Sequence, residues 1–273
     1  MKEGYVHSLI ATCLADPALL AQLSAMREDK ESPSDELHIN ARQLDLEGIR
    51  LTAGFITKTR HNPLRRTIPW TLKALKATGL EILVFADYTR PFLARRNQGP
   101  LNEGERTRSF VEYLRTWLDL NDANHRLVHD IVSHETLMYE IRQAEMADQD
   151  QKVGSNSVAE DFIPCVTGLL RINKASCNPQ KAIGCLQGET DKLSSLERKD
   201  YYFCYWRKDQ TPSVQLLEID LLSAVLLSQI NGQRTIREIA SNVNNIYGLG
   251  VKPGILVEMF QEVAAHGMVN FTF

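Results

Sequence analysis

"LLSAVLLSQINGQRTIREIASNVNNIYG", residues 221–248, decides how the rest of the chain is read. Its first part is apolar at nearly every position, and Asn231-Gly232 then interrupts it. Apolar residues resume at Ile236, Ile239, Ala240 and Val243 with helical spacing. Thr235 and Glu238 stand three apart at the front of this second run, which is the spacing of a capping box. The stretch therefore predicts two short helices, Leu221–Ile230 and Thr235–Tyr247, and a third follows at Gly254–His266. Upstream lie DFIPCVTGLLRI (161–172), DYYFCYW (200–206) and PSVQLLEI (212–219). Their branched and aromatic residues predict strands, and the turn formers of RKDQTP (207–212) predict a hairpin between the last two. Residues 174–200 read as a long loop, and MVNFTF (268–273) reads as a last strand.

A strand hairpin followed by three helices is a winged-helix arrangement, whose common use is DNA binding. That use requires cations where the recognition helix meets phosphates. GILVEMFQEVAAHG (254–267), the helix that would enter the groove, has no Lys or Arg but carries Glu258 and Glu262. Over residues 220–273 only Arg234, Arg237 and Lys252 oppose Asp220, Glu238, Glu258 and Glu262. Such a surface repels a duplex. The same scaffold has another use, because an exposed strand edge beside an apolar helix takes up an extended peptide as an additional strand. Here the receiving strand is Ser213, Val214, Gln215, Leu216 and Leu217, with Val257, Phe260 and Gln261 on the facing helix.

The first 145 residues carry helical periodicity. One helix is expected over 5–26, a polar break at REDKESPSDE (27–36) with Pro33, and a second helix from Asp35 to Arg60 that stops before Pro63. TIPWTLKALKATG (67–79) predicts a third, closed by Gly79, and LEILVFADYTRPFLARR (80–96) a fourth with Pro91 inside it. Asn102 and Glu105 have capping-box spacing before a fifth helix ending near Leu120, and a sixth runs from Asp122 to Glu145. Small polar residues at 146–161 mark a linker. The expected architecture is α+β: a helical bundle at 1–145, the linker at 146–161, and a winged-helix domain at 162–273.

Length and composition are those of an ordinary globular chain of 273 residues, with 43% hydrophobic and 24% charged residues and a net charge of −3. That charge gives no general attraction to nucleic acid or to anionic membrane. No apolar run approaches the length of a membrane span, and the N-terminus lacks the pattern of a secretory signal. The five cysteines are irregularly spaced with no C-x-x-C pair, so free thiols in a reducing cytoplasm are expected.

With its preceding strand, the 221–248 stretch resembles the PqqD-like recognition element of pathways that modify ribosomally made peptides (RiPP biosynthesis). The resemblance is carried by an apolar helix, then Asn231-Gly232, then Thr235-Ile236-x-Glu238-Ile239-Ala240. Separately, FITKTRHNPLRRTIPWTLKALKATGLEILVFADYTRPFLA (55–94) resembles the helical domain of partner proteins of multinuclear non-heme iron-dependent oxidases, as in methanobactin and thiaglutamate pathways. Together the resemblances imply a non-catalytic subunit with no cofactor of its own, forming a heterodimer with an iron oxidase. It would recruit the leader of a precursor peptide for oxidation of a cysteine, with the iron in the partner and a thiaglutamate-type pathway favoured. The run from Arg50 to Lys76 suits such docking. It holds Arg50, Lys58, Arg60, Arg65, Arg66, Lys73 and Lys76 with no acidic residue, and Arg60, His61, Arg65 and Arg66 cluster around Pro63.

Two alternatives come from other classes. NHRLVHDIVSHE (124–135) places His125 and His129 four apart on one helix face, which suits a pair of metal ligands in a metal-dependent enzyme. No Glu completes an H-E-x-x-H motif there, and no phosphate loop or nucleophile elbow occurs in the chain. The other alternative is an acidic winged-helix transcriptional regulator.

Overall fold

The computed structural model describes residues 3–28, 44–96, 102–144, 158–188, 190–208, 211 and 213–272. It is an α+β chain with small antiparallel sheets. Its contacts divide it into two units, Met1–His129 and Asp130–Phe273. No single helix among the described residues is long and apolar enough to cross a membrane.

The first unit is helical. The single helix expected over 5–26 is two, α1 (Glu3–Ala15) and α2 (Pro17–Glu28). Asp16 divides them because the residue before a proline avoids the helical basin, and its carboxylate accepts from Leu19 N at 3.4 Å at the start of α2. Helix α3 (Leu46–Arg60) is capped by Asp45, which accepts from Gly48 N. The earlier part of the helix expected from Asp35 lies at 35–43, outside the described residues. A single turn, α4 (Leu64–Thr67), precedes α5 (Pro69–Ala77), and Gly79 takes up the expected positive φ of 75°. Helix α6 (Glu81–Arg96) continues through Pro91. Helix α7 (Glu103–Trp117) begins with the Asn102–Glu105 capping box, both of its hydrogen bonds formed. Helices α3 and α6 pack closely at Gly54, where a Cβ would lie 2.6 Å from the Ile82 carbonyl oxygen. An aromatic core forms between them and α7, with Phe85 and Phe110 stacked at 5.1 Å and Tyr88 edge-on to Phe110 at 5.2 Å.

Asp87 holds the polar side of this unit together. Its carboxylate accepts from Arg50 Nη2 at 2.7 Å and from Trp117 Nε1 at 2.9 Å. Trp117 in turn stacks on His125, at the start of α8 (Ala123–Gln143).

The division between units falls inside α8, between His129 and Asp130. Most of the 146–161 linker, 146–157, lies outside the described residues. The physical reason for the division is that the second half of α8 belongs to the sheet's core. Ile141, Leu137 and Met138 cluster with Tyr201, Phe203 and Tyr205.

The second unit begins its sheets with β1 (Ile163–Val166) and β2 (Leu169–Ala175), which the sequence joined into one strand. Gly168, at φ 79°, turns the chain between them. Strand β1 pairs antiparallel with β5 (Val269–Thr272), while β2 pairs with β3 (Tyr201–Arg207) and β3 with β4 (Gln215–Ile219). The expected long loop is partly helical, containing α9 (Pro179–Gly188) and a 3-10 helix at Thr190–Ser195. Asp130 anchors its start by accepting from Ser176 N, Ser176 Oγ and Cys177 N at 2.7–3.1 Å. The last three helices follow as expected: α10 (Leu221–Ser228), α11 (Ile236–Tyr247) with its Thr235–Glu238 capping box, and α12 (Pro253–Ala265).

Candidate functional site

The β2-β3-β4 sheet has a distinct cluster on each face. Residues paired across strands share a face, so the register separates the side chains of β4. Gln215, Leu217 and Ile219 lie on the face of Trp206, Cys204 and Tyr202. That face meets the core built by α10, α11 and α12. Leu216 lies on the face of Tyr205, and it packs with Val214 into the cluster shared with α8. Val214 and Leu216 thus join one core, while on the other face Ile219 alone of the strand reaches the second core.

Strand β3 is buried along nearly its whole length, whereas β4 is half-exposed. Among the described residues no strand pairs with the outer side of β4. Ser213, Gln215 and Leu217 are exposed there, and Leu217 keeps 39% of its surface in solvent. The facing-helix residues divide differently from expectation. Phe260 is only 2% exposed and sits in the core with Trp206 and Leu256, so it is not the open floor of a groove. Val257 is half-buried against the same core and Gln261 is exposed. Helix α12 packs chiefly on α11 and β5. The structure gathers 213–217 along one edge and puts Val257 and Phe260 in the core that also takes Ile219 of β4.

Glu218 was missed by sequence reasoning. It is exposed on the face of Phe203, and its carboxylate accepts from Asn178 Nδ2 at 3.3 Å. The signal was present: no Lys or Arg occurs from 213 to 233.

The basic run of the first unit is less uniform than its sequence. Arg50 is committed to Asp87, and Lys58 to Glu81 at 2.6 Å. Lys73 lies 4.3 Å over the ring of Trp70. Arg60, Arg65 and Arg66 are exposed and make no ion pair among the described residues. His61 is a correction to the expected docking set, because it is 3% exposed and packs against Phe85 and Tyr88. Burial, reinforced by Arg106 and Arg60, pushes its pKa down to about 4.

His125 and His134 occupy separate environments. His125 Nδ1 accepts from Asp119 N at 2.9 Å while its ring lies on Trp117. His134 is buried with Nδ1 2.9 Å from the Tyr205 hydroxyl, and burial followed by Arg142 lowers its pKa to about 4. Among the described residues no three His, Cys, Asp or Glu side chains converge to hold a metal ion. Burial pushes the thiols of Cys177 and Cys204 up to about 12, with Asp130 adding to the effect at Cys177, so neither is a ready nucleophile.

No family model matches this chain, and no curated protein matches it. The case for a function rests on its residues and their arrangement.

Proposed function

We propose that the chain is a non-catalytic partner subunit in RiPP biosynthesis. In this reading the N-terminal helices form a bundle that docks a multinuclear non-heme iron oxidase as a heterodimer. The C-terminal unit is a PqqD-like winged-helix element that recruits the leader of a precursor peptide for oxidation of a cysteine, in a thiaglutamate-type pathway. The iron resides in the partner. The observation that carries the reading is the outer side of β4, which no strand among the described residues pairs with, next to two filled cores and ahead of three helices. Backbone groups along such an edge supply affinity, and the alternating side chains supply selection. Arg60, Arg65 and Arg66 support the docking half, being exposed cations without an internal partner among the described residues.

Co-expression with the oxidase of the same host, followed by titration of labelled precursor, tests both halves. Charge reversal at Arg65→Glu with Arg66→Glu should leave the unfolding midpoint unchanged and weaken oxidase co-purification at least tenfold. Gln215→Pro and Leu216→Pro test the edge. Successive N–H groups of a strand point to opposite sides, so one of these prolines deletes an outward donor and the other a ladder donor. The variant that keeps parental stability should lose precursor binding while retaining the oxidase. Precursor binding undiminished in that variant refutes peptide capture at β4.

A further inference from the structure

A peptide added to β4 meets different chemistry on its two faces, and this restricts which peptide fits. On one face β4 offers the exposed Leu217, and the strand leads into Leu221, which is 51% exposed. On the other face it offers Glu218, whose one described hydrogen bond is from a neutral amide and which makes no ion pair among the described residues. The neighbouring Lys199 also senses the Glu218 charge, but its close contacts are with Glu197 at 3.0 Å and with the Tyr201 ring, 4.9 Å away. Asp220 adds a second negative charge just past the strand, with one oxygen capping α10 through Ser223 N. The opposite edge strand, β2, instead carries the exposed cations Arg171 and Lys174.

Resting on the peptide-binding reading above, we propose that β4 takes an extended peptide in which apolar and basic residues alternate. The apolar side chain lies beside Leu217, and the Lys or Arg lies beside Glu218. Strand alternation sends neighbouring peptide residues to opposite faces, so one segment satisfies both surfaces at once. Opposite charges across adjoining strands favour pairing, and like charges oppose it. The charge at Glu218 therefore selects against acidic segments, and against the indiscriminate edge pairing that an uncharged strand invites.

The test uses the full chain and three labelled nine-residue peptides in which Val alternates with Lys, Ser or Glu, read by fluorescence anisotropy. The Val/Lys peptide should bind at least tenfold more tightly than Val/Glu, with Val/Ser between them. Glu218→Lys should invert that order, while Glu258→Lys, the same charge change on α12, should preserve it. Leu217→Ser should weaken all three peptides. Both altered β4 side chains are exposed, and circular dichroism checks that each variant is folded. An order unchanged by Glu218→Lys, or a parental preference for the Glu peptide, overturns the proposal. So does a dimer in sedimentation that Leu217→Ser dissolves, since the edge would then serve a second copy. The underlying reading fails differently: the stable proline variant would bind every peptide as the parent does.

Discussion

His61 lies in the sequence between two exposed residues, Arg60 and Asn62, yet its ring is packed against Phe85 and Tyr88. Its basic, polar neighbourhood made it look like part of a docking surface. What buries it is α6, twenty and more residues away, and local sequence carries no trace of that contact. The consequence is a pH dependence. His61 and His134 both have folded pKa values near 4, below the ordinary 6.5. As pH falls the unfolded chain takes up these protons first, so the stability contribution is present above 6.5 and is lost on descent toward 4. Between pH 7 and pH 5 each histidine should withdraw about 2 kcal/mol. Urea unfolding at the two pH values should show that loss, and His61→Phe should remove its share. Asp87 is a second residue whose role the sequence did not declare. Asp87→Ala strands both Arg50 and the Trp117 indole, at a cost of roughly 2 kcal/mol by denaturant unfolding, whereas Arg60→Ala should cost nothing measurable.

At the scale of elements, legibility followed the range of the determining interaction. The capping boxes at Asn102 and Thr235, the turn at Gly79 and the three closing helices rest on contacts within a few residues, and all were readable. The break at Asp16-Pro17 was equally local, and it was overridden by an apolar periodicity that runs on through it. The two strands either side of Gly168 could not be separated in advance, because their partners, β5 and β3, lie far along the chain. Nor could the helix inside 174–200, whose apolar residues are sparse. Phe260 shows the same limit within the candidate site: an apolar helix residue near a strand edge fits a groove and a core equally well. Its place beside Trp206 predicts that Phe260→Ala costs about 3–5 kcal/mol of stability. Calorimetry should detect that loss before any peptide is added, and lost peptide binding in this variant would report unfolding. Gln261→Ala, on the exposed side of α12, should leave stability unchanged.

For the whole molecule, composition shifts and contacts disagree about where one part ends. The polar run at 146–161 looks like a boundary, but the sheet recruits the α8 segment that precedes it. That segment covers Tyr201, Phe203 and Tyr205 with Leu137, Met138 and Ile141. It also presents the carbonyls of Arg142 and Ala144 to the buried guanidinium of Arg207. Truncation makes the consequence visible. A fragment starting at residue 146 would leave three aromatic rings uncovered and a buried cation without its acceptors. It should bind hydrophobic dyes and precipitate on expression, while one starting at Ala123 stays in solution. Anyone grafting the sheet half onto another protein would have to carry along a stretch of helix that the sequence assigns to its neighbour.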